Sequence, residues 1–375
     1  MKTINQLTSL RFFAALWVVA YHTLKVPDGW IASIIGFGYL GVPLFFVLSG
    51  FVLTYNYSER LDKVSQVPFL QARFARIFPM LLVATVFSAC LAPFFSHMKH
   101  TTILVEVVVT LTFLLAWFPL AGLNSPAWSL STEAFFYAFF RPLASRFKKA
   151  SDGGLWLSLI GFGVLALILP FALIAFLKPS VLEHSAIGRM IATNPIVRLP
   201  TFCCGIFAGL IYLRKTEKAV QWMSSELSLV ISLILTACAC AYATTLHMGS
   251  NEFRNYFLQA ATSGLVTIPM CLFLLYMASS SRLLTKLLQH KWLILLGEAS
   301  YAMYLLHFPM WSVADRLIET HPSVNAYLIW SVYFLIVVGA SMASFVYIET
   351  PARLLLRPKR VALTPIVLPD EVVGS

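Results

Sequence analysis

The sequence predicts an all-α fold, a polytopic bundle of about ten transmembrane helices, and three observations predict it. Of the 375 residues, 59% are hydrophobic and only 11% are charged, against roughly 45–50% and ~25% in soluble domains. The apolar residues gather in continuous runs of about twenty, the length a helix needs to cross a hydrocarbon core. The 27 Lys and Arg fall between those runs, so the net charge of +11 reads as topology rather than as a nucleic-acid-binding face. Continuous rather than alternating apolarity excludes a transmembrane β-barrel.

Eleven apolar runs lie at about residues 7–25, 33–56, 77–96, 102–120, 128–146, 155–177, 196–213, 226–246, 257–278, 291–312 and 325–348. The first is not a cleavable signal, because Arg11 and His22 interrupt it and no small-residue cleavage site follows. The positive-inside rule places Lys2, the group Arg60/Lys63/Arg73/Arg76, the groups at 146–149, 214–218 and 282–291, and Arg353, Arg357, Lys359 and Arg360 in the cytoplasm. Both termini are then cytoplasmic, while residues 97 and 124 both lie outside. The run 102–120 between them is therefore not a single crossing but a re-entrant or interfacial segment, which leaves ten spans. Backbone at that depth is tolerated only where it is buried in protein or lines a cavity.

The longest outer loop covers about 178–198. Residues 1–350 form one membrane domain and 351–375 a cytoplasmic tail, whose Pro- and Gly-containing end reads as loose. Six cysteines, mostly inside apolar runs, read as buried thiols rather than as a disulfide or metal framework. His97 and His100 have no carboxylate at a suitable spacing, so no metal is expected. The sequence carries no signal of oligomeric state.

Polar residues inside the spans carry the candidate chemistry. Arg11 and His22 are eleven positions apart, which brings them within ~20° of one helix face and about 16 Å apart along its axis. A cation in lipid costs at least ~2.5–3.5 kcal/mol at the centre, so both should face the bundle; snorkelling of Arg11 and an interfacial His22 account for each taken alone. Arg73 and Arg76, three apart, form one cationic face that suits phosphates, or an ordinary positive-inside loop. In the stretch 124–137, Glu133 follows Trp128 and Ser129 into a span, where it can hold a His or a substrate hydroxyl. Trp128 also suits an interfacial anchor and Ser129 a back-bonded helix residue. Gly50, beside Ser49, permits close helix packing or close passage of a substrate. Glu298, Tyr301, Tyr304 and His307 share one span and Glu349 ends another, so polar residues in at least four spans point to one shared polar interior.

Together these segments resemble the acyltransferase-3 family of integral membrane acyltransferases. The basic residue, ten intervening positions and a His are matched by Arg11 and His22; FF-x-x-SGF by residues 45–51; Arg-x-x-Arg by Arg73 and Arg76. Trp-Ser-Leu-x-x-Glu is matched by residues 128–133, and Ser-Tyr-x-x-Tyr-Leu-x-His by residues 300–307. The motifs stand in order across about residues 7–350. Some relatives carry an appended soluble hydrolase-like domain, which is not expected here.

The resemblance implies transfer of an acyl group, most often acetyl from acetyl-CoA, to a hydroxyl of an exported carbohydrate. The expected acceptor is an exopolysaccharide, an O-antigen or its lipid-linked oligosaccharide precursor. A small secreted molecule such as a macrolide, or an osmoregulated glucan, is the alternative. The resemblance also implies a bacterial inner membrane. Arg73, Arg76 and Arg11 would bind CoA phosphates, and His22 would act as general base with Glu133 stabilising its imidazolium; a covalent acyl-His relay is the other route. Ser49, Trp128, Ser129, Tyr301 and His307 would position the substrate. A secondary transporter or flippase is the rival class, since intramembrane His, Glu and Arg also build ion pathways. Dependence on acetyl-CoA separates the two.

Overall fold

The computed structural model of the chain describes residues 3–25, 29–95, 99–118, 120, 122–176, 185–246 and 252–356. His97, residues 178–184 of the expected outer loop and the tail beyond residue 356 lie outside the described residues, while the rest of that expected loop is largely helical. Among the described residues there are helices and turns and no strand. The long helices are α1 (Asn5–Thr23), α2 (Gly41–Tyr57), α3 (Gln66–Phe95), α4 (His100–Leu111), α5 (Trp128–Phe147) and α6 (Asp152–Phe176). They continue with α7 (Ser185–Thr193), α8 (Pro195–Leu213), α9 (Glu226–Leu246), α10 (Glu252–Leu265), α11 (Thr267–Ser279), α12 (Lys291–Thr320) and α13 (Ala326–Ser344). After α13 a π turn, Phe345–Glu349, leads into a last helix, Thr350–Leu356. Residues 351–356, assigned to the tail from sequence, are thus helical.

Seven described stretches are long and apolar enough to cross a membrane, and eight if α10 and α11, bent by 45°, count as one. The stretches of the other two expected spans are helical, α1 and α5, with 19 and 20 residues, but fall short of that apolarity. They are less apolar because they carry the polar residues of the interior. Large apolar side chains such as Leu157, Ile160 and Phe171 on α6 and Leu335 on α13 stay exposed, the outward belt that lipid covers and water would not tolerate.

The segment 102–120 does not cross. The twelve residues of α4 reach only about 18 Å against the ~30 Å core. The chain then turns at Phe113, whose φ of 59° lies in the left-handed region that bulky residues rarely adopt. Ser131 of α5 holds this turn: its hydroxyl donates to the Phe113 carbonyl and accepts the Ala116 N–H at 3.2 Å. Leu115, Leu120 and Gly122 then line a large cavity, which is how irregular backbone is kept from lipid.

Prolines inside helices leave a carbonyl four residues earlier without its N–H partner. Pro309 frees Leu305 in α12, and the Asn124 amide donates to that carbonyl at 2.8 Å. Pro142 frees Ala138 in α5, which accepts from Gln66 at 2.9 Å. In a bilayer such carbonyls have no water to turn to, so each amide both satisfies the helix and ties a neighbouring segment to it.

Glycines set a close approach in the bundle, between α2 and α8. A Cβ on Gly50 would stand 2.3 Å from the Phe202 carbonyl oxygen, and one on Gly205 2.2 Å from that of Val47. Both obstacles are backbone, which cannot swing away. Gly50→Ala is therefore expected to destabilise the bundle by about 1–3 kcal/mol, the usual cost of overpacking, read as a lower midpoint of thermal unfolding in detergent. An unchanged midpoint would show that α2 and α8 part without cost.

Candidate active site

α1 and α12 run parallel through the interior. Near their starts a Cβ on Gly297 would stand 2.1 Å from the Thr8 carbonyl oxygen, and Ser9 reaches the Leu288 carbonyl at 2.5 Å. Near their far ends His22 Nδ1 lies 3.1 Å from His307 Nε2, the rings stacked with centroids 5.2 Å apart. His307 is fully buried, and its Nδ1 lies 2.7 Å from the Tyr304 carbonyl oxygen. The Tyr333 hydroxyl donates to the His307 carbonyl at 2.9 Å, which steadies α12 at that turn.

The network assigns the tautomers. A carbonyl oxygen only accepts, so His307 Nδ1 carries the proton and its Nε2 is the acceptor. With both rings neutral this pairing has His22 donating from Nδ1, which places its lone pair on Nε2; the Val18 backbone, one turn earlier, is a further hydrogen-bond partner of the ring. The chain from His22 through His307 to a backbone carbonyl thus has the layout of a general base with an orienting partner.

His22 lines two cavities of about 500 Å³ each. One is walled by Tyr21, Tyr39, Trp128, Tyr304, Arg189 and Arg198, with others. The second lies on the other side of Phe308, between Phe94, Phe95 and Trp311 and the polar end of α12 at Asp315 and Glu319. Lys25 pairs with Asp315 at 2.9 Å at that end.

A third, narrow cavity of about 50 Å³ is lined by Arg11, Phe45, Ser129, Glu133, Tyr301 and Tyr304, with others. It continues the polar path from Tyr304, which also lines the first cavity, down to Arg11. The Ser129 hydroxyl lies 2.9 Å from the Tyr304 hydroxyl, which donates to the Pro126 carbonyl at 3.0 Å. Tyr301 donates to the Ile77 carbonyl at 2.5 Å. Ser49 donates to Glu133 at 3.2 Å, and the Tyr137 hydroxyl also bonds that carboxylate.

Below this lies a buried charge cluster. Arg11 is within electrostatic reach of Arg76, Glu298 and Glu133, and Arg76 of Glu298, Glu133 and Glu349. Glu349 lies 4.0 Å from Arg353. Arg73 stands at its edge, donating to the Tyr57 hydroxyl at 3.3 Å with the Tyr57 ring 5.6 Å away. Four arginines against three glutamates leave the cluster cationic.

The structure therefore divides the residues expected from sequence into two groups. Arg11, Arg73, Arg76 and Glu133 meet in the charge cluster, with Ser49 and Tyr301 against it. His22 and Trp128 line the large cavity, with His307 buried behind His22, and Ser129 joins the two groups through Tyr304. The residue beside His22 is His307; the recorded partners of Glu133 are Ser49, Tyr137 and the arginines. Arg189 and Arg198 were not singled out from sequence, although Arg198 inside the run 196–213 carries the same signal that marked Arg11, a lone cation in an apolar segment.

Comparison with known proteins assigns this architecture. Residues 4–349 match the acyltransferase-3 domain model, described as an acyltransferase domain. The chain is 30% identical over 98% of its length to an acyltransferase of Streptomyces mycarofaciens, MdmB, covering 96% of that protein. It is 25% identical over 94% of its length to the peptidoglycan O-acetyltransferase OatA of Listeria monocytogenes, spanning 56% of that longer protein. A putative acetyltransferase of the Acidianus two-tailed virus is 29% identical over 81% of this chain. No solved structure matches. The protein is an enzyme of the membrane, and its helices, motifs and relatives agree that the chain belongs to the acyltransferase-3 family of integral membrane acyltransferases.

Proposed function

We propose that the protein transfers acetyl from cytoplasmic acetyl-CoA to a hydroxyl of an exported carbohydrate, with His22 Nε2 as the general base. The observation that carries this is the hydrogen-bonded chain from His22 through His307 to the Tyr304 carbonyl, which leaves a lone pair on the imidazole that lines both large cavities. In this reading the end of the bundle that holds the charge cluster faces the cytoplasm of a bacterial inner membrane, with both termini on that side. The cavities at His22 face the opposite leaflet, where a polysaccharide or its lipid-linked precursor passes.

The step balances without further reactants. His22 Nε2 takes the proton from the acceptor hydroxyl while that oxygen attacks the thioester carbonyl carbon. The carbon–sulfur bond breaks, and the departing CoA thiolate takes the proton back from the imidazolium. His307 Nε2 accepts the His22 Nδ1 proton throughout and stabilises the positive charge, the part assigned from sequence to Glu133. Glu133 instead balances Arg11 and Arg76, so that these cations persist at depth. The acyl end of CoA would approach through the narrow cavity between Arg11 and Tyr304, past Ser129 and Tyr301. A sugar acceptor stacks naturally on an aromatic wall such as Trp128.

Arg73 and the net positive cluster beneath supply the phosphate contacts, because guanidinium groups bind phosphate bidentately. Arg73→Ala and Arg76→Ala are expected to raise the apparent KM for acetyl-CoA by about tenfold, the loss of one charged hydrogen bond, with a smaller change in kcat. An unchanged KM in both would remove them from the donor site. Acceptor-dependent release of free CoA thiol from acetyl-CoA by the purified protein tests the donor itself. Release that does not depend on a hydroxyl-bearing acceptor contradicts the reading.

A further inference from the structure

The large cavity holds one feature that base catalysis does not use. Arg189 and Arg198 are the cationic side chains that line it, and no carboxylate is among its lining residues within the described part of the chain. A pair of cations lining a cavity inside a membrane bundle is costly unless something negative meets it.

Local partners account for only part of each. Arg198 is 6% exposed, and its Nε donates to the Ala192 carbonyl at 2.7 Å, capping the end of α7. That uses one corner of the guanidinium. Among the described residues its two terminal nitrogens make no hydrogen bond, and the charge neighbour recorded for it is a phenol, Tyr39. The position adds to the cost, since Arg198 stands in the first turn of α8, where the helix dipole disfavours a cation and favours an anion. Arg189 lies 3.4 Å from the Tyr256 hydroxyl, with its guanidinium 5.5 Å from that ring. Its recorded counter-charge is Glu106, a buried residue outside the cavity lining whose carboxylate faces the Gly122 and Leu123 backbone N–H groups.

We infer that Arg198 and Arg189 form an anion subsite, and that the acceptor is an acidic saccharide whose carboxylate or phosphate group docks there while a hydroxyl reaches His22. The inference rests on the reading of this cavity as the acceptor site. The remaining wall fits such a guest: Tyr21, Tyr39, Tyr256, Gln259 and Ser125 offer hydroxyl and amide groups for sugar hydroxyls. Gln259 already donates to the Tyr21 hydroxyl at 3.0 Å, so these groups are held in place before the acceptor arrives. An acid held at the subsite also fixes which hydroxyl meets the base, so the same pair of arginines sets the position of the ester.

Binding to the full-length protein in nanodiscs tests this, using methyl β-glucuronide, glucose 1-phosphate and the neutral methyl β-glucoside as probes and tryptophan fluorescence as the readout. The wild type is expected to bind at least one acidic probe about tenfold or more tighter than the neutral one, the effect of a charged hydrogen bond. The tighter of the two acidic probes names the group as carboxylate or phosphate. Arg198→Gln is expected to bring the acidic and neutral affinities together, Arg198→Lys to keep part of the preference, and Arg189→Gln to reduce it. The lysine and Arg189 variants decide the matter if Arg198→Gln fails to fold. Equal affinities in the wild type, no measurable binding of either acidic probe, or a preference that survives in the folded arginine variants would overturn the subsite. If an acidic probe binds with the expected preference but is not acetylated from acetyl-CoA, the transfer reading fails and the subsite stands.

Discussion

His22→Ala is expected to lower acetyl transfer by about 10²–10⁴-fold, the usual contribution of a positioned general base. The loss should fall on kcat, with the apparent KM for acetyl-CoA nearly unchanged, because the proposed site of the donor phosphates lies at the other end of α1. Eleven residues separate Arg11 from His22, about 16 Å along the helix axis. The bundle should survive the change: His22 is only partly buried and faces two cavities rather than a packed layer. Steady-state kinetics on protein of equal monodispersity checks the prediction, and a variant that keeps most of its kcat would take His22 out of the reaction.

The second large effect belongs to His307. In the proposed mechanism its imidazole fixes the His22 tautomer and receives no proton from the substrate, which makes it a positioning residue. His307→Ala is expected to lower kcat by about 10²-fold or more, as removal of the orienting partner does in other base-catalysed acyl transfers. His307→Gln should recover part of that loss, since its amide oxygen can accept the His22 Nδ1 proton. Equal losses in the two variants would mean that His307 serves packing alone.

Much of this arrangement was legible in the sequence because a bilayer enforces simple rules. Ionisable residues inside apolar runs must face an interior, so Arg11, His22, Glu133 and His307 could be placed there before any geometry was known. The charge pattern alone showed that 102–120 could not cross, and the twelve-residue α4 with its turn at Phe113 gives the physical reason. Pairing was less legible. The partner of His22 depends on the parallel packing of α1 and α12, set by the close approach of Gly297 to Thr8, and no spacing within one segment reveals that. Glu133 was matched with His22 because both are polar and intramembrane, yet Ser49 and Tyr137 hold it. Arg198 is less legible because its run reads as an ordinary span with a cation near one end.

Ester-linked acetate on surface polysaccharide tests the central claim most directly, measured in a strain that lacks this gene and is complemented with wild type or His22→Ala at equal membrane levels. The account predicts that acetate returns with the wild type and not with His22→Ala. Equal restoration by both would contradict the role of His22, and restoration by neither would contradict the carbohydrate acceptor.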